Sequence, residues 1–268
     1  MKGTVGVLGV GLIGGSIGLS ARRAGAHVIG ADCDPSALEA ALARGEIDAA
    51  IETEELYRQA DVVAIATHLE STLVELKRLA CKRLTLQSTL VLDVSSVKSP
   101  VVAAAAGLKN FVATHPMAGS ERNGILAARA GLFDDAPWAY VPTGDASLDE
   151  RACKFIRSCG GIPFPVSAAE HDRAVALTSH VPAIVASRYK ALLRGSEPDA
   201  RRLCGPVARE LLRVADMNPA MWSAILRANA HNVAPHLRQL AHDLESAADR
   251  ISADGAERYP EVALKRRS

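Results

Sequence analysis

Three groups of residues in this chain have the types and spacing to do chemistry. Gly9-Val10-Gly11-Leu12-Ile13-Gly14 is a G-x-G-x-x-G loop between an apolar run and a helix-like segment. In that setting the first glycine allows a tight turn, the second lets the backbone approach a pyrophosphate, and the third brings the helix close to the strand. Free N–H groups at the helix start then attract the phosphates. Asp32 closes a second apolar run about 20 residues on, where a carboxylate accepts hydrogen bonds from the adenosine ribose. A carboxylate in Asp32-Cys33-Asp34 repels a 2′-phosphate and no arginine follows at once, so NAD is favoured over NADP. The bland alternative is that these glycines serve packing only. The other two groups are Asp93-Val94-Ser95-Ser96-Val97-Lys98 and Thr114-His115-Pro116-Met117-Ala118-Gly119-Ser120-Glu121. A histidine placed like His115 titrates near neutrality and can take a proton from a hydroxyl while hydride leaves to a nicotinamide. Ser96 could orient both the imidazole and the substrate. On spacing alone, a histidine before a proline can equally do no more than cap a strand.

The elements that must position these groups follow from hydrophobic periodicity. Short apolar runs at 4–8, 28–31, 62–66, 90–94, 111–113, 138–141 and 162–166 read as buried strands. Helix-patterned segments such as 36–44 and 69–79 separate them, which argues for a parallel sheet covered by helices on both faces. From about Ala168 the β-branched runs give way to alanine- and leucine-rich stretches at 169–194, 199–216 and 221–251. Asn218 is placed to cap the last of these, with Pro219 at its first turn. The expected architecture is α/β: an N-terminal Rossmann-type doubly wound sheet (1–167) and a C-terminal all-helical domain (168–268). Helices this apolar often pack on a second copy, so a homodimer is expected; the bland alternative is that they pack only on their own Rossmann domain.

Composition narrows the class. Half of the 268 residues are apolar, and 31 Lys and Arg nearly balance 30 Asp and Glu, which gives no reason to expect nucleic acid or an anionic membrane as partner. The five cysteines are odd in number and form no C-x-x-C pair, as in a reduced cytoplasmic protein. The run from Val5 to Ser16 superficially resembles a signal peptide, but five glycines interrupt it and it passes into a helical segment. No stretch has the apolar length of a membrane span.

Taken in order, GVGLIGGS (Gly9–Ser16), DVSSVK (Asp93–Lys98), HPMAGSE (His115–Glu121) followed by Gly124 and Leu132-Phe133, His171-Asp172, and SHVP (Ser179–Pro182) resemble the prephenate/arogenate dehydrogenases of tyrosine biosynthesis. The resemblance runs from Gly6 to about Leu244. It implies oxidative decarboxylation of a cyclohexadienol, with hydride passing to NAD and the ring carboxylate leaving as carbon dioxide. It further implies His115 as the base with Ser96 positioning it, and Arg213, Ser179, His180 and Glu121 around the substrate. The dinucleotide site would comprise Gly9, Gly11, Leu12, Ile13, Gly14, Asp32 and Thr67. Arg213 can also be a surface arginine paired with Glu210, and His180 a satisfied core histidine. His171-Asp172 reads as a structural helix start. No metal is required, and His231, His236 and His242 lack ligand spacing.

Three departures from the family pattern stand out. Ala183 replaces a second histidine that many prephenate-preferring members carry after SHxP, which leaves side-chain preference and tyrosine sensitivity open. His68 replaces a common proline. The glycine-rich run before the substrate arginine is reduced to Gly205-Pro206. With this length, control through a C-terminal regulatory domain is not expected. Rival readings are a dehydrogenase of a 4-amino-4-deoxy analogue of prephenate, a β-hydroxyacid dehydrogenase that would use Lys190, and a non-catalytic dinucleotide-binding protein.

Overall fold

A computed structural model describes residues 3–82, 88–119, 124–216 and 218–254. The first half alternates strand and helix: β1 (Thr4–Leu8), α1 (Leu12–Arg23), β2 (His27–Ala31), α2 (Pro35–Ala43), β3 (Ala49–Ala50), α3 (Thr53–Gln59), β4 (Val62–Ile65), α4 (Leu69–Lys82), β5 (Leu90–Asp93), α5 (Ser99–Ala104) and β6 (Phe111–Val112). All six strands are parallel, in the order β3-β2-β1-β4-β5-β6. The order reverses between β1 and β4, and such a reversal opens a crevice at the strands' carboxyl ends. Successive residues of a strand face opposite sides, so the sheet separates two cores. Val5, Val7, Val28 and Leu92 pack with Ile17, Phe133, Trp138 and Phe155, whereas Ile29, Val63, Ile65 and Val91 pack with Leu56, Leu76, Leu79 and Val101.

The later strands depart from the expected single parallel sheet. β7 (Thr114–Pro116), β8 (Pro137–Tyr140) and β9 (Ile162–Pro165), with α6 (Ala146–Ser158) between the last two, form a separate sheet in which β7 and β8 are antiparallel. Nor is β9 buried, since Ile162 and Phe164 are 53% and 57% exposed. Pro163 and Pro165 explain this. They have no N–H to offer a further strand, while Ile162 and Val166 donate to Ala136 and Tyr140 on the β8 side.

The helical part begins with α7 (Ala168–Val175), where Ser167 and Glu170 form a reciprocal capping box. A π-helical turn at Ala176–His180 leads into α8 (Val181–Arg194), with Pro182 in its first turn. Then come α9 (Pro198–Arg202), α10 (Pro206–Ala215), α11 (Pro219–Ala228) and α12 (Ala230–Asp254). Asn218 caps α11 through the Ala220 and Met221 amides, with Pro219 at the first turn as its sequence suggests. Ile225 of α11 enters the core beneath α4 and α5, which ties the helices to the sheet. No residue of α10 is buried, and Leu203 at the end of α9 and Val207 in the first turn of α10 are 82% and 78% exposed. Among the described residues no helix is long and apolar enough to cross a membrane.

Candidate active site

The glycine loop takes the form that a dinucleotide requires. Gly9 has φ +94°, and a Cβ there would lie 2.8 Å from the Ala66 carbonyl oxygen. A Cβ on Gly14 would fall 1.8 Å from the Gly9 carbonyl oxygen, so only glycine lets α1 start this close to β1. Gly11 is different, because a Cβ there meets nothing within 4 Å. It is the N-cap of α1, with no side-chain cap and no acidic residue in the first turn, which leaves the helix's first amides available to an anion. Asp32 accepts from the Val10 amide at 2.8 Å and the Asp34 amide at 2.9 Å. An ionised carboxylate has about four acceptor positions, so two of these remain for ribose hydroxyls. The Thr67 hydroxyl is bonded to that of Thr72 at 2.9 Å.

His115 lies in the middle of β7, and the residue before it is held by a buried ion pair. Lys98 and Asp93, both fully buried, meet at 2.6 Å. Asp93 accepts from the Thr114 amide at 2.9 Å, Lys98 Nζ donates to the Thr114 carbonyl, and Trp138 Nε1 donates to the Thr114 hydroxyl at 3.0 Å. A buried ion pair adds little net stability but strongly fixes geometry when its remaining bonds are made. Burial pushes the Lys98 ammonium down from its ordinary pKa, while Asp93 in contact opposes that shift.

Beyond this anchor the imidazole joins a chain of buried groups from α7. His115 Nδ1 lies 2.9 Å from His171 Nε2, and His171 Nδ1 lies 2.9 Å from Asp172 Oδ1. Asp172 also accepts the Lys98 amide at 2.7 Å and the Ser99 amide at 2.8 Å, which ties α7 to the start of α5. Burial alone would raise the Asp172 carboxyl, but hydrogen bonds from His171, Ser99 and Lys98 outweigh it and hold the pKa at about 2. For His115, burial drives the pKa well below 6.5, and Lys98 with the neighbouring imidazoles of His171 and His180 disfavours a further proton there, against the pull of Asp172. His115 is therefore neutral at pH 7 and ready to accept a proton.

His180, 1% exposed, closes the far side of this cluster. Asn229 Nδ2 donates to the Asp172 carbonyl at 2.7 Å and lies 3.2 Å from His180 Nδ1, while Asn229 Oδ1 accepts from Asn232. Both ends of the amide are thereby assigned, so His180 Nδ1 is an acceptor and Nε2 carries the ring proton. Burial lowers the His180 pKa to about 4. Its ring meets Trp222 edge-on at 5.8 Å.

This pairing of a glycine-loop sheet with a buried histidine cluster has relatives. Two family models match the chain: the prephenate dehydrogenase nucleotide-binding domain over residues 17–161, and the prephenate dehydrogenase dimerization domain over residues 167–264. The chain belongs to the prephenate dehydrogenase family. A protein of Streptomyces niveus named probable prephenate dehydrogenase NovF is 34% identical over 258 residues, which cover 93% of this chain and 69% of the relative. The crystal structure of prephenate dehydrogenase from A. aeolicus, in complex with hydroxyphenyl propionate and NAD+, superposes with a TM-score of 0.84 at 25% identity, over 94% of this chain and 91% of that one. The crystal structure of Synechocystis arogenate dehydrogenase gives 0.74 at 28% identity, over 94% and 92%.

The residues expected from the prephenate dehydrogenase resemblance are placed unevenly. His115, half-buried, and His180, buried, belong to one cluster. Ser96 is half-buried, but the structure gives His115 Nδ1 to His171 rather than to Ser96. Its neighbour Ser95 is buried with its hydroxyl unpaired. Ser179 is half-buried in the π-helical turn beside His180. Arg213 stands on α10, half-exposed and paired with Glu210 at 3.0 Å. Glu121 lies outside the described residues. Lys190, which a β-hydroxyacid dehydrogenase would need, is ion-paired with Asp216. Sequence reading left His171, Asp172 and Asn229 without a role in the site. The available signal was an adjacent His-Asp pair just after a capping box, a position that turns two ionisable side chains into the core.

Proposed function

We propose that this chain catalyses the NAD-dependent oxidative decarboxylation of prephenate, arogenate or both. The observation that carries the reading is His115, kept neutral and locked in the cluster with His171, Asp172 and His180, in a chain that matches the family in both halves. The glycine loop fits NAD: Gly11 leaves the space a pyrophosphate needs, the first turn of α1 presents uncapped amides, and Asp32 keeps acceptors for the ribose. Leu12 and Ile13 form that first turn, and Thr67, two residues past β4, lies against Gly9. When bound, NAD supplies the hydride acceptor.

His115 Nε2 accepts the proton of the ring hydroxyl as the carbon bearing it gives up hydride. The new carbonyl lies across the ring from the carboxylate-bearing carbon, draws in the electrons of the breaking C–C bond, and carbon dioxide leaves. The ring becomes aromatic. Ser96 is assigned to the substrate hydroxyl rather than to the imidazole. His180, a donor at Nε2, and Ser179 are assigned to the substrate's polar groups, with Glu121 at the pocket edge. Arg213 is the cation assigned to a carboxylate, where Arg pairing can be bidentate.

Residues 1–167 and 168–268 serve as the nucleotide-binding and substrate/dimerisation units. The match to a dimerization domain and the unburied α10 with Leu203 and Val207 support a homodimer. The free cysteines support a cytoplasmic setting. The reading is tested by offering the purified protein NAD with prephenate and with arogenate and following absorbance at 340 nm. Reduction with either supports it, and none with both overturns it.

The neutral histidines of the site also set an acid limit on stability. Between about pH 6.5 and 4 the unfolded chain binds a proton at His180 that the folded chain refuses, so stability falls as pH falls through that window. His180 alone accounts for roughly 2 kcal/mol between pH 7 and 5, or about 4–8 °C in melting temperature, and His115 adds in the same direction. Asp172 contributes nothing there, since its stabilisation is lost only as pH falls below about 4. Thermal melts at pH 7 and pH 5 measure this. A flat melting temperature would mean that these imidazoles protonate freely in the folded state.

A further inference from the structure

We propose that His171 and Asp172 are positioning residues that fix the tautomer of His115, forcing its ring proton onto Nδ1 and leaving the Nε2 lone pair to face the substrate hydroxyl. The chemical consequence rests on the reaction proposed above, whereas the tautomer itself does not.

The assignment follows from counting protons along the chain. The Asp172 carboxylate accepts three hydrogen bonds, from the Lys98 amide, the Ser99 amide and His171 Nδ1. An ionised carboxylate can only accept, so His171 Nδ1 must carry a proton. With one proton on each ring, His171 Nε2 is bare. His115 Nδ1, 2.9 Å from it, then has to donate, and His115 Nε2 is left with its lone pair. A free imidazole favours the opposite tautomer, with the proton on Nε2. Without the pair from α7, the atom that must act as base would mostly be occupied. Which nitrogen is protonated is set by the bond the other makes, and here that bond is itself set by an anchored carboxylate.

The anchoring is tight because Lys98 holds both ends of the array. Its amide binds Asp172, and its ammonium binds Asp93 and the Thr114 carbonyl, next to His115. His171 and Asp172 are 3% and 2% exposed, so water does not compete for these bonds. When the substrate proton moves from the hydroxyl oxygen to His115 Nε2, the imidazolium keeps its Nδ1 proton. The bond to His171 then becomes charge-assisted, with the Asp172 carboxylate behind it. Within the His115–His171–Asp172 array no proton changes its owner.

Two isosteric variants separate positioning from packing. In His171→Asn the amide occupies the place of Nδ1, keeping a donor for Asp172 but losing the reach to His115. In His171→Gln a carbonyl oxygen reaches the place of Nε2 and can accept from His115 Nδ1. His171→Asn is expected to lower kcat by about 10²-fold with KM and NAD affinity near those of the parent, and His171→Gln to recover at least about tenfold of that loss. A readout independent of turnover comes from long-range ¹H–¹⁵N correlations on protein labelled at histidine, with the His115 signals assigned by their loss in His115→Ala. The parent should show a protonated Nδ1 and a bare Nε2 at His115, and His171→Asn should show the reverse. An Nε2-protonated His115 in the parent, or equal kcat in parent and His171→Asn, overturns the proposal. The expected nitrogen pattern in a protein that turns over neither prephenate nor arogenate would uphold the tautomer and overturn the reaction instead.

Discussion

His115→Ala should lower turnover by at least about 10²-fold and by as much as 10⁴-fold, the range over which a positioned general base acts, while NAD affinity stays near the parent value. The two effects separate because the imidazole and the glycine loop are built by different strands. His115 is carried by β7 in the second sheet and held through Thr114 by Asp93 and Lys98, whereas the loop follows β1 in the first. Removing the ring leaves His171 Nε2 without its partner but does not touch Gly9, Gly11 or Asp32. Steady-state kinetics alongside NAD titration by fluorescence would measure both quantities. Undiminished turnover would remove His115 from the mechanism, and a parallel loss of NAD binding would mean the substitution had disturbed the fold.

Gly11→Ala and Gly14→Ala, three residues apart in one loop, should fail in different ways. At Gly14 the added methyl would lie 1.8 Å from the Gly9 carbonyl oxygen and 2.9 Å from Val7 Cγ1. Neither backbone oxygen nor buried core can yield cheaply, and overpacking of this kind costs about 1–3 kcal/mol or more. The melting temperature of Gly14→Ala should fall by about 5–10 °C, with NAD binding lost along with the loop geometry. At Gly11 the backbone is extended and the methyl meets no protein atom within 4 Å. Its apo stability should stay within about 0.5 kcal/mol of the parent, while NAD binds about 10–100-fold more weakly because the methyl stands where the pyrophosphate must come. Calorimetry with and without NAD would distinguish the two. A Gly11→Ala protein that binds NAD normally would show that the cofactor lies elsewhere.

The parts of this molecule legible in its sequence are those whose causes are local. A strand, a G-x-G-x-x-G turn and a helix sit within 20 residues, and the structure assembles them as that spacing suggests. The Asn218-Pro219 start of α11 and the change to helices after residue 167 are equally local. What could not be read depends on partners distant in the chain. β6 and β7 are separated by Ala113 alone, yet they belong to different sheets because β7 pairs antiparallel with β8, more than 20 residues on. β3 has two residues and no periodicity to detect. In the site, His171 meets a histidine 56 residues away, and Asp172 meets amides 73 and 74 residues away. The capping box ahead of the His-Asp pair marks both side chains as turned inward, but not what they meet there. Ser96 is the hydroxyl that the motif offers, and His171 is a further partner of the imidazole, at Nδ1, that the motif does not show.

The central claim, that hydride loss and decarboxylation occur together at His115, is tested most directly by stoichiometry. Carbon dioxide and reduced NAD should be measured together during turnover of carboxyl-labelled prephenate, and then of arogenate. The account predicts one carbon dioxide released for each NAD reduced with at least one of the two substrates, and both lowered by the same factor of about 10² or more in His115→Ala. Reduction of NAD without carbon dioxide would contradict it, pointing to a simple alcohol dehydrogenase on the same fold.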